Sequence, residues 1–313
     1  MKEPIVTLTM NPAVDLCTSV ARLAPFHKLR CGEVRHDAGG GGINVARAAR
    51  RLGGDPVAIF PVGGPMGQLL ERLVGAEGVR HVSIPISGDT REDITVDEVG
   101  SGAQYRFVLP GPTLSAAESQ RCLQKISEAI SVSTWLVASG SLPPGVAASF
   151  YAELGRLAAP KAAKCVLDSS GAGLKAAIGN GVYLIKPSLR EFEELVGSAL
   201  PNDAACLAAA RRIIANGGAT LVALTLGENG ALLVGDNFAM SASAPKLTPV
   251  STVGAGDSFL GALVVSLARG ESNSDALRIA VAAGAAALLS RGTDLCHAAD
   301  VQRLAREIEV RQL

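Results

Sequence analysis

The chain has 313 residues, 48% of them hydrophobic and 19% charged, enough for one large α/β domain or two ordinary ones. That size and balance support a packed core and exclude a disordered chain. Twenty-nine Lys and Arg offset 29 Asp and Glu, which leaves no electrostatic case for nucleic acid or an anionic membrane as the main partner.

From the amino end, MKEPIVTLTMNP turns polar too soon for a secretory leader. Strands are predicted at 5–10, 57–62, 135–139, 165–168, 182–186 and 221–226, several as nearly continuous apolar runs of the kind strands buried on both faces require. Helices are predicted between them at 43–52, 67–74, 116–130, 147–157 and 204–215, and this alternation implies a parallel sheet covered by helices. After Gly254 a run of helices, 257–268, 274–290 and 298–310, closes the chain. The greasiest stretches, 259–268 and 279–289, are too short to span a bilayer, so a cytoplasmic protein is expected. The six cysteines, at 17, 31, 122, 165, 206 and 296, make no CxxC pair and read as free thiols in a reducing compartment.

Two regions break the rhythm. Residues 29–37 and 89–109 alternate as strands do, for example ITVDEV at 94–99 and QYRFV at 104–108. The expectation is one domain spanning 1–313 with a small β lid formed by about 16–37 and 89–110. The apolar face of such a lid needs covering, which points to a homodimer formed through it.

Chemistry concentrates in two glycine-rich segments. STVGAGDS at 251–258 runs straight into an apolar helix, and its glycines let the backbone turn so that the free amides of Ala255, Gly256 and Asp257 form a helix N-terminus suited to an anion. Asp257 would sit in the first turn, close enough to remove a proton from an attacking hydroxyl; an ordinary helix cap is the alternative. DAGGGGINVAR at 37–47 strips side chains from a turn, letting a ligand approach the backbone, with Asn44 and Arg47 offering donors. A merely flexible loop is the alternative there. Arg47, Arg50 and Arg51 on one helix read as a solvated face.

Several classes fall away. There is no GxxxxGK[ST], no HRD or DFG set, and no HExxH among His27, His36, His81 and His297. After the first strand stands MNPAVD, where a dinucleotide-binding fold needs GxGxxG.

The segments GAGDSF at 254–259 and DAGGGGINVAR resemble the two signatures of the ribokinase-like (PfkB-type) carbohydrate kinases. The resemblance runs through TMNPAVD at 9–15, GSLPPG at 140–145, KPSLRE at 186–191 and TLGENGA at 225–231. It implies a three-layer α/β/α sandwich with a small β lid, Asp257 as catalytic base, and a transfer turn of Gly254, Ala255 and Gly256. It places sugar contacts at Asp15, Gly39, Gly40 and Asn44, with Arg91 on the substrate phosphate and Ser139 nearby. ATP would lie along Lys186, Ser188, Glu191, Thr225, Gly227 and Gly230, beside the helix at Val281 and Ala285, with Lys28 reaching a nucleotide across a dimer interface. Mg²⁺ would be held at Glu191 through water. A K⁺ site would use Ser251, Val253, Ala287, Ser290 and Gly292.

Within the family, KLRC at 28–31, GGGG at 39–42, QYRFVLPG at 104–111 and GTDLC at 292–296 resemble members acting on fructose 6-phosphate. The implied reaction is ATP-dependent phosphorylation of its C1 hydroxyl to fructose 1,6-bisphosphate. Kinases of fructose 1-phosphate or tagatose 6-phosphate are the alternatives, and a silent sugar-phosphate sensor is the non-enzyme one. Ser188 departs from the family's Asn, which puts direct help with magnesium positioning there in doubt; Glu191 is retained, and a water bridging from the serine would compensate. Ser290 and Asp294 depart from the Asn and Arg expected near K⁺.

Overall fold

Short apolar runs buried on both faces build the centre of the molecule, as strands in a parallel sheet must. The computed structural model describes residues 3–290 and 292–313. Its first third holds β1 (Ile5–Leu8), β2 (Ala13–Val20), β3 (Arg35–Gly39), α1 (Gly41–Arg51), β4 (Pro56–Val62), α2 (Gly64–Ala76), β5 (Arg80–Pro85), β6 (Arg91–Glu98) and β7 (Ala103–Val108). The middle alternates strictly: α3 (Ala116–Ala129), β8 (Trp135–Ser139), α4 (Phe150–Ala158), β9 (Lys164–Asp168), α5 (Gly171–Ala177), β10 (Val182–Ile185) and α6 (Leu189–Val196). Then come α7 (Asp203–Ala215), β11 (Leu221–Thr225), β12 (Ala231–Val234), β13 (Ala239–Ala242), α8 (Ala255–Ala268), α9 (Asn273–Ala287), α10 (Ala298–Ala305) and β14 (Val310–Gln312).

Ten strands form one sheet in the order β14-β13-β12-β11-β10-β9-β8-β1-β4-β5. From β11 to β5 the neighbours are parallel, and β12, β13 and β14 add antiparallel pairs at one flank. One face carries α1, α8 and α9 over a core that includes Val45, Leu260, Leu263 and Ala280. The other is covered through Ile126, Leu154, Leu174 and Phe192. The α/β/α sandwich is therefore as expected.

A separate four-stranded sheet has the order β3-β2-β6-β7. Of the segment 29–37, read as strand, only its end pairs, within β3; before it the Gly32 amide donates to the Ser19 carbonyl at 2.8 Å and the Gly32 carbonyl accepts from Thr18 Oγ1 at 3.4 Å. The helix expected over 298–310 stops at Ala305, and Val310–Gln312 pairs antiparallel with β13 instead. All six cysteines are free, and four are buried.

Candidate active site

The carboxyl ends of β8, β9 and β10 bring three polar side chains together, at the edge where open α/β sheets bind ligands. Ser139 and Asp168 are register partners, and Lys186 follows directly on β10. Lys186 Nζ lies 3.0 Å from Asp168 Oδ1, and Ser139 Oγ donates to Asp168 Oδ2 at 3.1 Å. Burial pulls the Lys186 pKa down, but the charge and hydrogen bond of Asp168, joined by Asp257 and Glu191, hold it above its ordinary value.

This ammonium faces the start of α8. A Cβ on Gly256 would stand 3.5 Å from Lys186 Nζ. Gly254 caps the helix with φ 76°, and a Cβ there would come within 2.3 Å of Leu295; only glycine satisfies both demands. The amides of Ala255, Gly256 and Asp257 begin an α8 of 14 residues, a ready anion site with a cation beside it. Asp257 is half-buried in this first turn and accepts a hydrogen bond from Asn44 Nδ2 at 3.0 Å. Burial raises its pKa to about 6 and Asp168 adds to this, while Asn44, Lys186 and Arg106 oppose. A carboxyl so placed is poised to accept a proton near neutrality.

The glycine turn before α1 is structural, not merely flexible. Gly40 adopts φ 110°, and a Cβ on Gly42 would approach the Leu8 carbonyl to 2.2 Å. The Ile43 amide donates to Thr9 Oγ1 at 2.7 Å, docking α1 on the end of β1. Gly39 leaves room for Asp15, whose carboxylate would lie 2.5 Å from any Cβ there. Asp15 is buried in β2, in register with Asp37 on one side and Asp93 on the other. Its pKa rises to about 7, through burial first, with Arg106 opposing and Asp93 adding.

Beyond Lys186, Ser188 and Glu191 form a capping box at the start of α6. The Ser188 amide and hydroxyl each donate to Glu191 Oε2 at 2.8 Å. Serine therefore holds Glu191 directly, through its own amide and hydroxyl. Ser188 also bridges to Thr225, whose amide donates to the Pro187 carbonyl at 3.1 Å. Gly227 (φ 61°) and Gly230 (φ 95°) shape the following turn. Val281 and Ala285 do not present an open nucleotide surface. They are 4% and 5% exposed in the core, because α9 packs closely on α8, and the half-exposed residue between them is Gly284. Lys28 is exposed on the loop between β2 and β3.

Arg91 begins β6 with its guanidinium committed to Asp93 at 3.0 Å, the Leu109 carbonyl at 2.8 Å and the Asn11 carbonyl at 3.2 Å. Its Nε is buried with no partner among the described residues. Of the residues expected around K⁺, 250–253 meet 287–290 and 292: Ser251 Oγ donates to the Gly292 carbonyl at 3.3 Å, and the Val250 amide to that of Leu288 at 2.7 Å. Val253, Ala287 and Ser290 are buried around this junction. Asp294 turns away to Arg51 at 2.8 Å and His297 at 3.2 Å. Arg47 is not part of a solvated face: it is 2% exposed, and Glu77, just past the end of α2, meets it at 2.5 Å.

Asp168 and Arg106 belong to this site and were not singled out by sequence reasoning. Asp168 ends an apolar strand at the same edge as Ser139 and Lys186, which is the signal that could have found it. Arg106 lies exposed on β7, a charge within an alternating strand, and nothing local marks it as facing two carboxylates.

The profile of the pfkB family carbohydrate kinases matches residues 8–300. ATP-dependent 6-phosphofructokinase isozyme 2 from Mycobacterium tuberculosis is 47% identical over 302 residues, covering 96% of this chain and 89% of that protein. The crystal structure of phosphofructokinase-2 from Escherichia coli in complex with potassium superposes with a TM-score of 0.94 at 39% identity, covering 97% and 99%. The 1-phosphofructokinase of Xanthomonas campestris is more distant, 34% identical over 271 residues and covering 85% of each chain.

Proposed function

This chain belongs to the pfkB family of carbohydrate kinases, and on that footing we propose that it phosphorylates fructose 6-phosphate at C1 with ATP, giving fructose 1,6-bisphosphate. The observation that carries the reading is Asp257 itself. It sits in the first turn of α8 behind a glycine cap, held by Asn44 at 3.0 Å, with Lys186 beside the same turn.

Asp257 takes the C1 hydroxyl proton as that oxygen bonds to the γ-phosphorus and the bond to the bridging oxygen of ADP breaks. The amides of Ala255, Gly256 and Asp257 and the Lys186 ammonium stabilise charge on the transferring group, the dominant effect in such reactions. Asp15, Gly39, Gly40 and Asn44 hold the sugar hydroxyls, and Arg91 and Arg106 supply cations for the phosphate, with Ser139 bracing Asp168. Thr225, Gly227 and Gly230 shape the nucleotide turn. Magnesium, when bound, neutralises the phosphate oxygens; Glu191 and Asp168 are the carboxylates that would hold it, through water at Glu191.

The backbone junction of Ser251, Val253, Ala287, Ser290 and Gly292 suits K⁺, which takes carbonyl oxygens. The small sheet acts as a lid. Its edge strand β7 exposes Tyr105, Phe107 and Val108, a surface that a second copy would cover, bringing Lys28 toward the partner's nucleotide. Free cysteines throughout suit a cytoplasmic location.

An ADP-release assay across fructose 6-phosphate, fructose 1-phosphate, tagatose 6-phosphate and unphosphorylated fructose tests the assignment. A preference for fructose 6-phosphate is expected. Silence with all of them would return the chain to a sensor.

A further inference from the structure

Arg47 carries a full charge into the interior with 2% exposure, and no step above uses it. Its Nη1 donates to oxygens from three separate segments: Ala38 at the end of β3 (2.7 Å), Asn44 on its own helix (3.0 Å) and Thr293 in the tail (3.4 Å). Nε and Nη2 both meet Glu77 Oε1 at 2.5 Å. Glu77 Oε2 is in turn bound by Arg51 at 3.1 Å.

The contact with Asn44 has a directional consequence. A guanidinium has five N–H donors and no acceptor, so the Asn44 atom facing it must be the carbonyl oxygen. The amide nitrogen is then forced to the other side, toward Asp257 Oδ2. A flipped amide would set N–H against N–H at Arg47 and oxygen against oxygen at Asp257. We propose that Arg47 is a positioning residue for phosphoryl transfer, locking the Asn44 amide so that it donates to the catalytic carboxylate and keeps it ionised. The inference rests on the reading of Asp257 as base.

Remove the guanidinium and the flipped amide loses one of its two penalties. The other vanishes when Asp257 is protonated, since Oδ2–H then donates to Asn44 Oδ1. The protonated carboxyl gains, so the pH at which activity falls on the acid side must rise. The other charged groups facing Asp257 are Lys186, Asp168 and Arg106, and those near Arg47 are Glu77, Arg51 and Asp15; none of them changes in the variant.

The test is a set of pH–rate profiles for the full-length enzyme, Arg47→Met, Asn44→Ala and the double variant, each with fructose 6-phosphate and ATP. Arg47→Met is expected to lower kcat about tenfold at pH 7 and to move the acid limb up by about 0.5 to 1 pH unit, with KM for ATP unchanged. In the Asn44→Ala background the same substitution should change neither. An equal loss in both backgrounds, or an unmoved limb, overturns the proposal. Should Arg47→Met fail to fold, Glu77→Gln loosens the guanidinium without deleting it. It should shift the limb in the same direction by less, and an unmoved limb there is equally decisive. Asp257→Asn measured alongside separates the two readings: if it turns over normally, the base assignment fails. If it is inactive while Arg47→Met acts independently of Asn44, only the positioning role fails.

Discussion

Lys186 and Asp168 form a buried ion pair, 3.0 Å apart, at the foot of the helix that carries Asp257. Their side chains are 6% and 14% exposed. The pair keeps an ammonium charged at a place where burial alone would favour its neutral form, and aims it at the glycine turn of α8. Removing one partner of such a pair leaves the other charge stranded.

Lys186→Met should therefore destabilise the fold by about 3–5 kcal/mol in urea unfolding and lower kcat at least about 100-fold. Adding Asp168→Asn should restore most of the stability and none of the turnover. Recovery of both together would reduce Lys186 to a structural role.

Asp257→Asn keeps the hydrogen-bonded shape but loses the base, so kcat should fall roughly 100-fold or more with substrate affinity nearly intact. In the unmodified enzyme log kcat should decline with unit slope below about pH 6, the value to which burial raises this carboxyl. Rates that stay flat down to pH 5 would show that another group takes the proton.

Asp15 gives a stability prediction of definite sign. Its folded pKa of about 7 lies above the ordinary 3.8, so between these values the folded chain holds a proton the unfolded chain has released. Its contribution to stability therefore falls as pH rises across that window. Asp15→Asn should stabilise the protein, on the order of a few kcal/mol at pH 8 and less at pH 5, while raising KM for the sugar phosphate. A Tm gain that does not change with pH would contradict this account.

Arg106 faces both Asp15 and Asp257 from β7. Arg106→Gln should raise KM for fructose 6-phosphate about tenfold, with a smaller change in kcat. Arg91→Ala should raise the same KM and also loosen the β6 junction, where it binds two carbonyls and Asp93. If sugar-phosphate KM is unaltered in both variants, the phosphate lies elsewhere.

Ser188→Ala should cost about 1 kcal/mol through the lost helix cap and leave Glu191 held by the backbone amide at 188 alone. The magnesium concentration for half-maximal rate should then rise severalfold, while Ser188→Asn keeps it near the original. An identical magnesium dependence in all three proteins would show that the cap does not orient Glu191.

Much of this was legible from residues alone. The apolar runs that became β1, β4, β8, β9, β10 and β11 are buried on both faces, so hydrophobicity marked them without help from partners. The two glycine segments could be read because a Cβ at Gly39 or Gly42 would meet a carboxylate or a carbonyl, and Gly254 needs a positive φ, demands that composition records. Arg47 was misread because its partners lie 30 and 246 residues away in Glu77 and Thr293, and a helix with three arginines looks solvated until α2 packs on it. Val281 and Ala285 were placed by resemblance, and only helix packing reveals that α9 turns them inward. The β14 pairing was hidden for the same reason, since three residues carry no period of their own.

At its β3 margin the small sheet is tied to the carboxyl-terminal segment. Thr293 Oγ1 donates to Asp37 at 2.7 Å, tying β3 to the tail, and the Arg47 guanidinium joins Ala38 to the same segment. At the opposite margin five of the six residues of β7 are exposed. On the proposed reading of this sheet as a lid, a displacement hinged at β3 would be larger at Arg106 on β7 than at Asp15 on β2. On that reading the tied side would set where the sugar lies, and the free side how much positive charge is brought over it.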